Sequence, residues 1–181
     1  MDWLAVQVAP TPSLISLSVE LVPPKYTGWQ SGFAKKSIRT LVGTKVRFVG
    51  RADKPLQSAA LCLEDGRKLL AWLGDDKQDF LVPGPNGQAL VVESSTAYWF
   101  ELTDCDGLSS GEETRWQIQA VPDQPPTISI EQPKGALFVT AQAVVPVVVV
   151  AGDDLALRRV ELRASRSDRP EAPLLVPLYQ G

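Results

Sequence analysis

Acidic pairs are the residues of this sequence with the clearest capacity for chemistry. Asp104 and Asp106 flank Cys105, Asp153 and Asp154 are adjacent, and so are Asp75 and Asp76. Closely spaced carboxylates in loops supply the oxygens that calcium takes, about six to eight in all. The same residues are favoured in turns, because an Asp side chain bonds its own backbone two residues on. No D-x-D-x-D-G loop with a downstream Glu is present, so the calcium motif with the best-defined spacing is missing. Spacing alone leaves two readings for Asp104, Asp106, Asp153 and Asp154: calcium ligands or plain turn structure. No other cofactor is expected.

A second candidate is Tyr26-Thr27-Gly28-Trp29. Aromatic side chains on a loop can stack on a sugar or fill a pocket of another protein, so Tyr26 and Trp29 are candidate binding residues. The competing reading folds both rings back over the edge of a sheet. Lys35-Lys36 and Arg158-Arg159 read as solvated cations. Ser109-Ser110-Gly111 has no base or elbow context to make a serine nucleophilic.

The absences narrow the chemistry further. The chain has no His, which removes Ser-His-Asp and Cys-His nucleophile pairs, His metal sites and the commonest general base. No motif supports carboxylate or Lys catalysis, and no enzyme activity is expected. Eighteen basic against 21 acidic residues give a net charge of −3, without the basic excess that holds a phosphate backbone, so no nucleic-acid partner is expected. Cys62 and Cys105 are too few for a disulfide scaffold and lack metal-ligand spacing; one disulfide or two buried thiols are both open. No segment reaches the roughly 20 apolar residues that span a bilayer, and no secretion signal is legible at the start, so no membrane contact is expected within these residues.

The elements that would carry these residues are strands. Tyr98, Phe100 and Leu102 alternate with Trp99, Glu101 and Thr103, the period of a strand with one buried face. The strand ends in Asp104-Cys105-Asp106-Gly107, and a second strand over 114–121 runs back. A Tyr early in such a strand resembles the F strand of an immunoglobulin-like sandwich, where the ring packs at a corner and the hydroxyl bonds the backbone. Further strands are predicted near 15–22, 44–52, 58–64, 67–73, 78–82 and 88–93. Glu64-Asp65-Gly66-Arg67 reads as a type I′ hairpin turn. Trp116, Phe48, Tyr98 and Phe100 would dominate the core.

The chain also repeats itself. Residues 3–8, WLAVQV, and 116–121, WQIQAV, each lead through a Pro-rich joint into an alternating strand, ISLSVEL or TISIE. Val46 to Asp53 is similar to Pro146 to Asp153. The period, about 111 to 113 residues falling to about 100, is that of an immunoglobulin-like domain. The expected organisation is all-β: antiparallel, immunoglobulin-like sandwich modules in tandem, one complete and two partial. Residues 1–10 would be the last strand of a preceding module, 14–121 a complete sandwich and 127–181 the first part of a following module. The uncharged valine run 144–150 would then lie on an unfinished edge and draw a further strand, through dimerisation or aggregation.

Three strings point to a family. They are Pro23-Pro24-Lys25-Tyr26-Thr27-Gly28, Gly43-Thr44-Lys45-Val46 and Asp153-Asp154-Leu155-Ala156-Leu157-Arg158-Arg159-Val160-Glu161-Leu162. Together they resemble the repeated extracytoplasmic domains of very large, membrane-anchored bacterial envelope proteins, a domain-of-unknown-function family. Ala156 stands where that pattern has Gly, and Asp53-Lys54-Pro55 stands where the complete module would carry the double Asp. The resemblance implies a periplasmic or cell-surface location and a non-catalytic structural, spacer or adhesion role. The partners it implies are neighbouring modules of the same chain, with another envelope protein or a glycan as a further candidate. A protein- or carbohydrate-binding module is the other functional class that the sequence leaves open.

Overall fold

In the computed structural model, residues 9–84, 87–111, 113–167 and 169–181 are described. The strand expected over 3–8 lies outside them. The chain divides into two units, residues 1–122 and 123–181. Each is built of strands, and no α-helix occurs among the described residues.

Unit 1 contains β1 (Leu14–Val22), β2 (Gly32–Ala34), β3 (Ile38–Leu41), β4 (Lys45–Ala52), β5 (Leu56–Leu63) and β6 (Lys68–Leu70). It continues through β7 (Trp72–Leu73), β8 (Asp79–Val82), β9 (Leu90–Val91), β10 (Thr96–Asp104), β11 (Ser109–Ser110) and β12 (Trp116–Val121). One sheet runs β2-β1-β4-β8-β7, with β9 also on β4; the other runs β3-β12-β10-β5-β6, with β11 also on β10. Pairing is antiparallel except between β3 and β12. The two sheets pack face to face over a single core.

Alternation places that core. On β10, Tyr98, Phe100 and Leu102 point inward and are buried, as their spacing predicts. On β4, Val46, Phe48, Gly50 and Ala52 do the same. The Phe48 ring lies 5.0 Å from Tyr98 and 5.6 Å from Phe100, so the sheets meet through aromatic rings. Phe80 of β8 reaches within 5.3 Å of Phe100. Gly50 leaves the space for it: a Cβ there would fall 2.2 Å from the Phe80 ring. Trp116 is half-buried at the margin, its ring 5.5 Å from Tyr98, and closes the core rather than centring it.

Three local features differ from the sequence reading. The run 67–73 is two strands, because β6 pairs with β5 while β7 pairs with β8 in the opposite sheet. The segment after Pro23-Pro24, where no strand is predicted, supplies a short 3-10 turn (Lys25–Thr27), β2 and β3. The β5–β6 hairpin has Gly66 at φ 88° but Asp65 at negative φ, so it is a three-residue loop closed by a left-handed glycine rather than a type I′ turn.

Unit 2 holds two antiparallel pairs. β13 (Thr127–Gln132) pairs with β14 (Val148–Gly152), and β15 (Arg159–Arg166) with β16 (Arg169–Gln180). Its first pair has a counterpart in unit 1. Leu17 faces Gly50 and Val19 faces Phe48 across β1 and β4, while Ile128 faces Ala151 and Ile130 faces Val149 across β13 and β14. In both, the apolar members of alternate positions share one face.

Candidate functional site

The two acidic loops singled out by sequence have different environments. Asp104 is the inward-facing last residue of β10 and is only 2% exposed. Its Oδ1 accepts the N–H groups of Asp106 at 3.0 Å and Leu108 at 2.9 Å. Lys54 Nζ donates to its Oδ2 at 3.1 Å. Burial opposes the charge, but the Leu108 N–H, Lys54 and the Asp106 N–H outweigh it and hold the carboxyl below its ordinary value. The carboxylate therefore anchors the β10–β11 loop and is already neutralised by Lys54. Among the described residues Asp106 joins it in no cluster of acidic ligands.

Asp153 and Asp154 follow β14 and meet Asp123, a residue the sequence reading left in the linker. Carboxylate oxygens of the three lie within 4.8 Å of one another, and all three residues are exposed. Partial desolvation, a hydrogen bond that protonated Asp154 donates to Asp153, and the charges of Asp123 and Asp153 raise the Asp154 pKa. With one ligand oxygen from each, the three carboxylates would supply three of the roughly six to eight oxygens that calcium takes. Asp76 has a turn role: its Oδ1 accepts the N–H groups of Gln78 and Asp79 at 3.0 and 3.2 Å, and Arg51 lies 3.2 Å from its other oxygen.

The loop aromatics face outward. Tyr26 is 61% and Trp29 57% exposed. Between them Thr27 is buried; its hydroxyl donates to the Pro24 carbonyl at 2.8 Å and accepts the Trp29 N–H at 3.1 Å. This holds a tight 3-10 turn with Gly28 at φ 68°. Of the paired cations, Lys36 lies 5.3 Å over the Trp116 ring and Arg159 pairs with Glu161. Ser109 and Ser110 are hydrogen-bonded to Thr103 and to the Pro12 carbonyl.

Sequence reasoning missed a row of apolar side chains on the outer face of the first sheet. Val49 of β4, Leu81 of β8 and Trp72 of β7 are successive cross-strand neighbours. Trp72 is 52% and Val49 47% exposed. Ion-paired rows flank them: Arg51 with Asp79 at 2.8 Å on one side, and Arg47 with Glu20 at 3.8 Å on the other. Phe33 extends the second row opposite Glu20. The signal was present in the alternation of β4 and β8, but only the sheet order makes the three residues adjacent.

Cys62 and Cys105 are both free thiols. Cys62 is paired across the strands with Trp99 in mid-sheet, and Cys105 lies past the end of β10 with its Sγ near the Pro55 carbonyl. Burial, then a hydrogen bond to Glu101, pushes the Cys62 pKa up to about 11, the opposite of an activated nucleophile. No described helix is long and apolar enough to cross a membrane. No family model and no curated protein matches the chain.

Proposed function

We propose that the chain is a non-catalytic structural or spacer segment of a larger extracytoplasmic protein of the bacterial envelope, built from immunoglobulin-like modules in tandem. The observation that carries the modular reading is the repeated register. Leu17–Gly50 and Val19–Phe48 in unit 1 have their like in Ile128–Ala151 and Ile130–Val149 in unit 2, one residue out of step with the sequence match of 46–53 to 146–153. The strand order supports the immunoglobulin-like assignment: β1-β4-β8-β7 matches A-B-E-D, and β12-β10-β5 matches G-F-C, with β3 as an added parallel edge strand. The extracytoplasmic location rests on the three family-like strings alone. A spacer role is supported by the lowered carboxylates: those of Asp53, Asp65, Asp76, Glu101 and Asp104 each have a backbone or ion-pair partner within the fold.

Calorimetry tests the modular reading. Ile130→Asp should lower or abolish a transition belonging to unit 2 and leave the unit 1 transition in place. A single transition shifted as a whole by that substitution would refute independent modules.

The Val49–Leu81–Trp72 row favours a second reading, a binding module whose flat sheet face stacks on a glycan or packs against a protein. Screening the chain against glycans and envelope-protein fragments tests it. A ligand lost on Trp72→Ala without a change in melting temperature would establish this reading over the spacer.

A further inference from the structure

The outer face of the first sheet of unit 1 is a grid whose rows cross its strands. The middle row runs from Ser18 of β1 through Val49 of β4 and Leu81 of β8 to Trp72 of β7, each opposite the next. One flanking row runs Ser16, Arg51 and Asp79 across β1, β4 and β8. These side chains are exposed or half-buried, and alternation along each strand points them away from the core. Size and charge are therefore unevenly spread. The small serines lie on β1 and the large Trp72 on β7, while the cation Arg51 lies on β4 and the anion Asp79 on β8.

Such a grid is complementary to itself. Consider a two-fold axis parallel to the strands, set over the gap between β4 and β8. It lays β4 of one copy over β8 of the other, and β1 over β7. By the register within the sheet, Val49 then meets the partner's Leu81, Trp72 meets the partner's Ser18, and Arg51 meets the partner's Asp79. Each contact occurs twice, as an isologous interface requires. A two-fold axis across the strands does the opposite: it stacks Trp72 on the partner's Trp72 and sets Arg51 over the partner's Arg47. A glycan stacked on Trp72 makes no use of the alternation of large with small or of cation with anion. A second copy uses both.

Building on the reading of this face as a binding surface, we infer that it binds the same face of a second copy of the chain. The two sheets pack with strands aligned about the axis over β4 and β8. Four strands about 4.8 Å apart, crossed by three rows, give about 400 Å² from each copy. A standard interface takes about 800 Å² from each partner, so the association is weak and reversible.

Sedimentation and NMR of the 181-residue chain from about 10 μM to 1 mM test this. The parent should self-associate, with concentration-dependent shifts confined to β1, β4, β7 and β8. Arg51→Asp and Asp79→Arg each set like charges against each other across the axis, and each alone should weaken association at least about ten-fold. Mixed in equal amounts, the two variants should associate within about three-fold of the parent, because opposite charges then meet. Ser18→Trp leaves the ion pairs in place, sets indole against indole and should weaken association at least about ten-fold as well. A chain that stays monomeric to the top of that range would overturn the inference. So would association that all three variants leave unchanged, or a mixture no tighter than either charge variant alone. The ligand screen with Trp72→Ala decides the binding reading separately: a monomeric chain that binds a glycan or protein there keeps that reading and loses this one.

Discussion

Tyr98 donates its phenolic hydroxyl to the carbonyl oxygen of Lys36, a residue 62 positions earlier in the chain. The hydroxyl of an immunoglobulin tyrosine corner bonds backbone only a few residues upstream. Here the bond ties the buried end of β10 to the segment that leads into β3. The ring is fully buried, and burial raises the phenol's pKa, so it stays neutral and donates. Tyr98→Phe removes only the hydrogen bond and should cost about 0.5–1.5 kcal/mol. Tyr98→Ala also empties the centre of the aromatic core and should cost about 3–5 kcal/mol. Chemical denaturation of both variants checks this; equal losses would mean that the ring contributes nothing beyond its hydroxyl.

Asp104 makes a prediction about acid. Its carboxyl, like those of Asp53, Asp65, Asp76 and Glu101, is held below its ordinary value in the folded chain. Protonation then favours unfolding: the stability is complete above about pH 5 and is lost as pH falls through the folded pKa values. Asp104→Asn keeps an acceptor for Asp106 and Leu108 but loses the charge that faces Lys54. It should melt lower than the parent at pH 7, and the gap should close as pH falls below about 4. Melting temperatures between pH 2 and 8 decide it; a gap that does not change with pH would exclude the ionic contribution.

The contrast between these two residues shows what a sequence makes visible. Tyr98, Phe100 and Leu102 were readable as inward-facing because alternation is a local property of a strand. Asp104 continues the same inward series, yet its partner Lys54 lies 50 residues away, and a D-x-D-G string reads equally as a turn or a cation loop. The short β3 escaped for the same reason: four residues carry little periodicity, and its parallel pairing with β12 joins ends of the module. Residues 67–73 looked like one strand because no local signal says that Ala71 is where the chain changes sheets. Asp123 was hidden in a Pro-rich linker until β14 brought Asp153 and Asp154 beside it.

Two glycines set the spacing of strands and give a steric prediction. Gly111 has φ 140°, and a Cβ there would lie 1.8 Å from the Phe100 carbonyl oxygen. Gly111→Ala must push the chain off β10 and should cost at least about 2 kcal/mol. Gly50→Ala collides with the Phe80 ring, which has to move, and should cost about 1–3 kcal/mol. Gly32→Ala meets nothing within 4 Å and should change stability by no more than about 0.5 kcal/mol. Urea midpoints of the three variants test the order; a Gly111→Ala chain as stable as Gly32→Ala would place the 111 backbone away from β10.

The core of unit 1 is closed within itself. The buried side chains of the cluster, from Val19 through Phe48, Phe80 and Tyr98 to Ile118, all lie within residues 19–118. Leu14 pairs with Ala52 at the end of β4, and the Val42 N–H donates to the Val121 carbonyl at 2.9 Å, so both ends of residues 14–121 are fastened to the middle of that segment. Residues 14–121 should therefore fold alone. The fragment should show a strand-type circular dichroism spectrum without helix, one cooperative melt, and resistance to protease except near the termini. Its Tyr98→Phe variant should lose about as much stability as the same substitution in the 181-residue chain, because the hydrogen bond to Lys36 lies wholly within it. A disordered fragment, or one in which Tyr98→Phe has no effect, would mean that residues outside 14–121 complete the fold of unit 1.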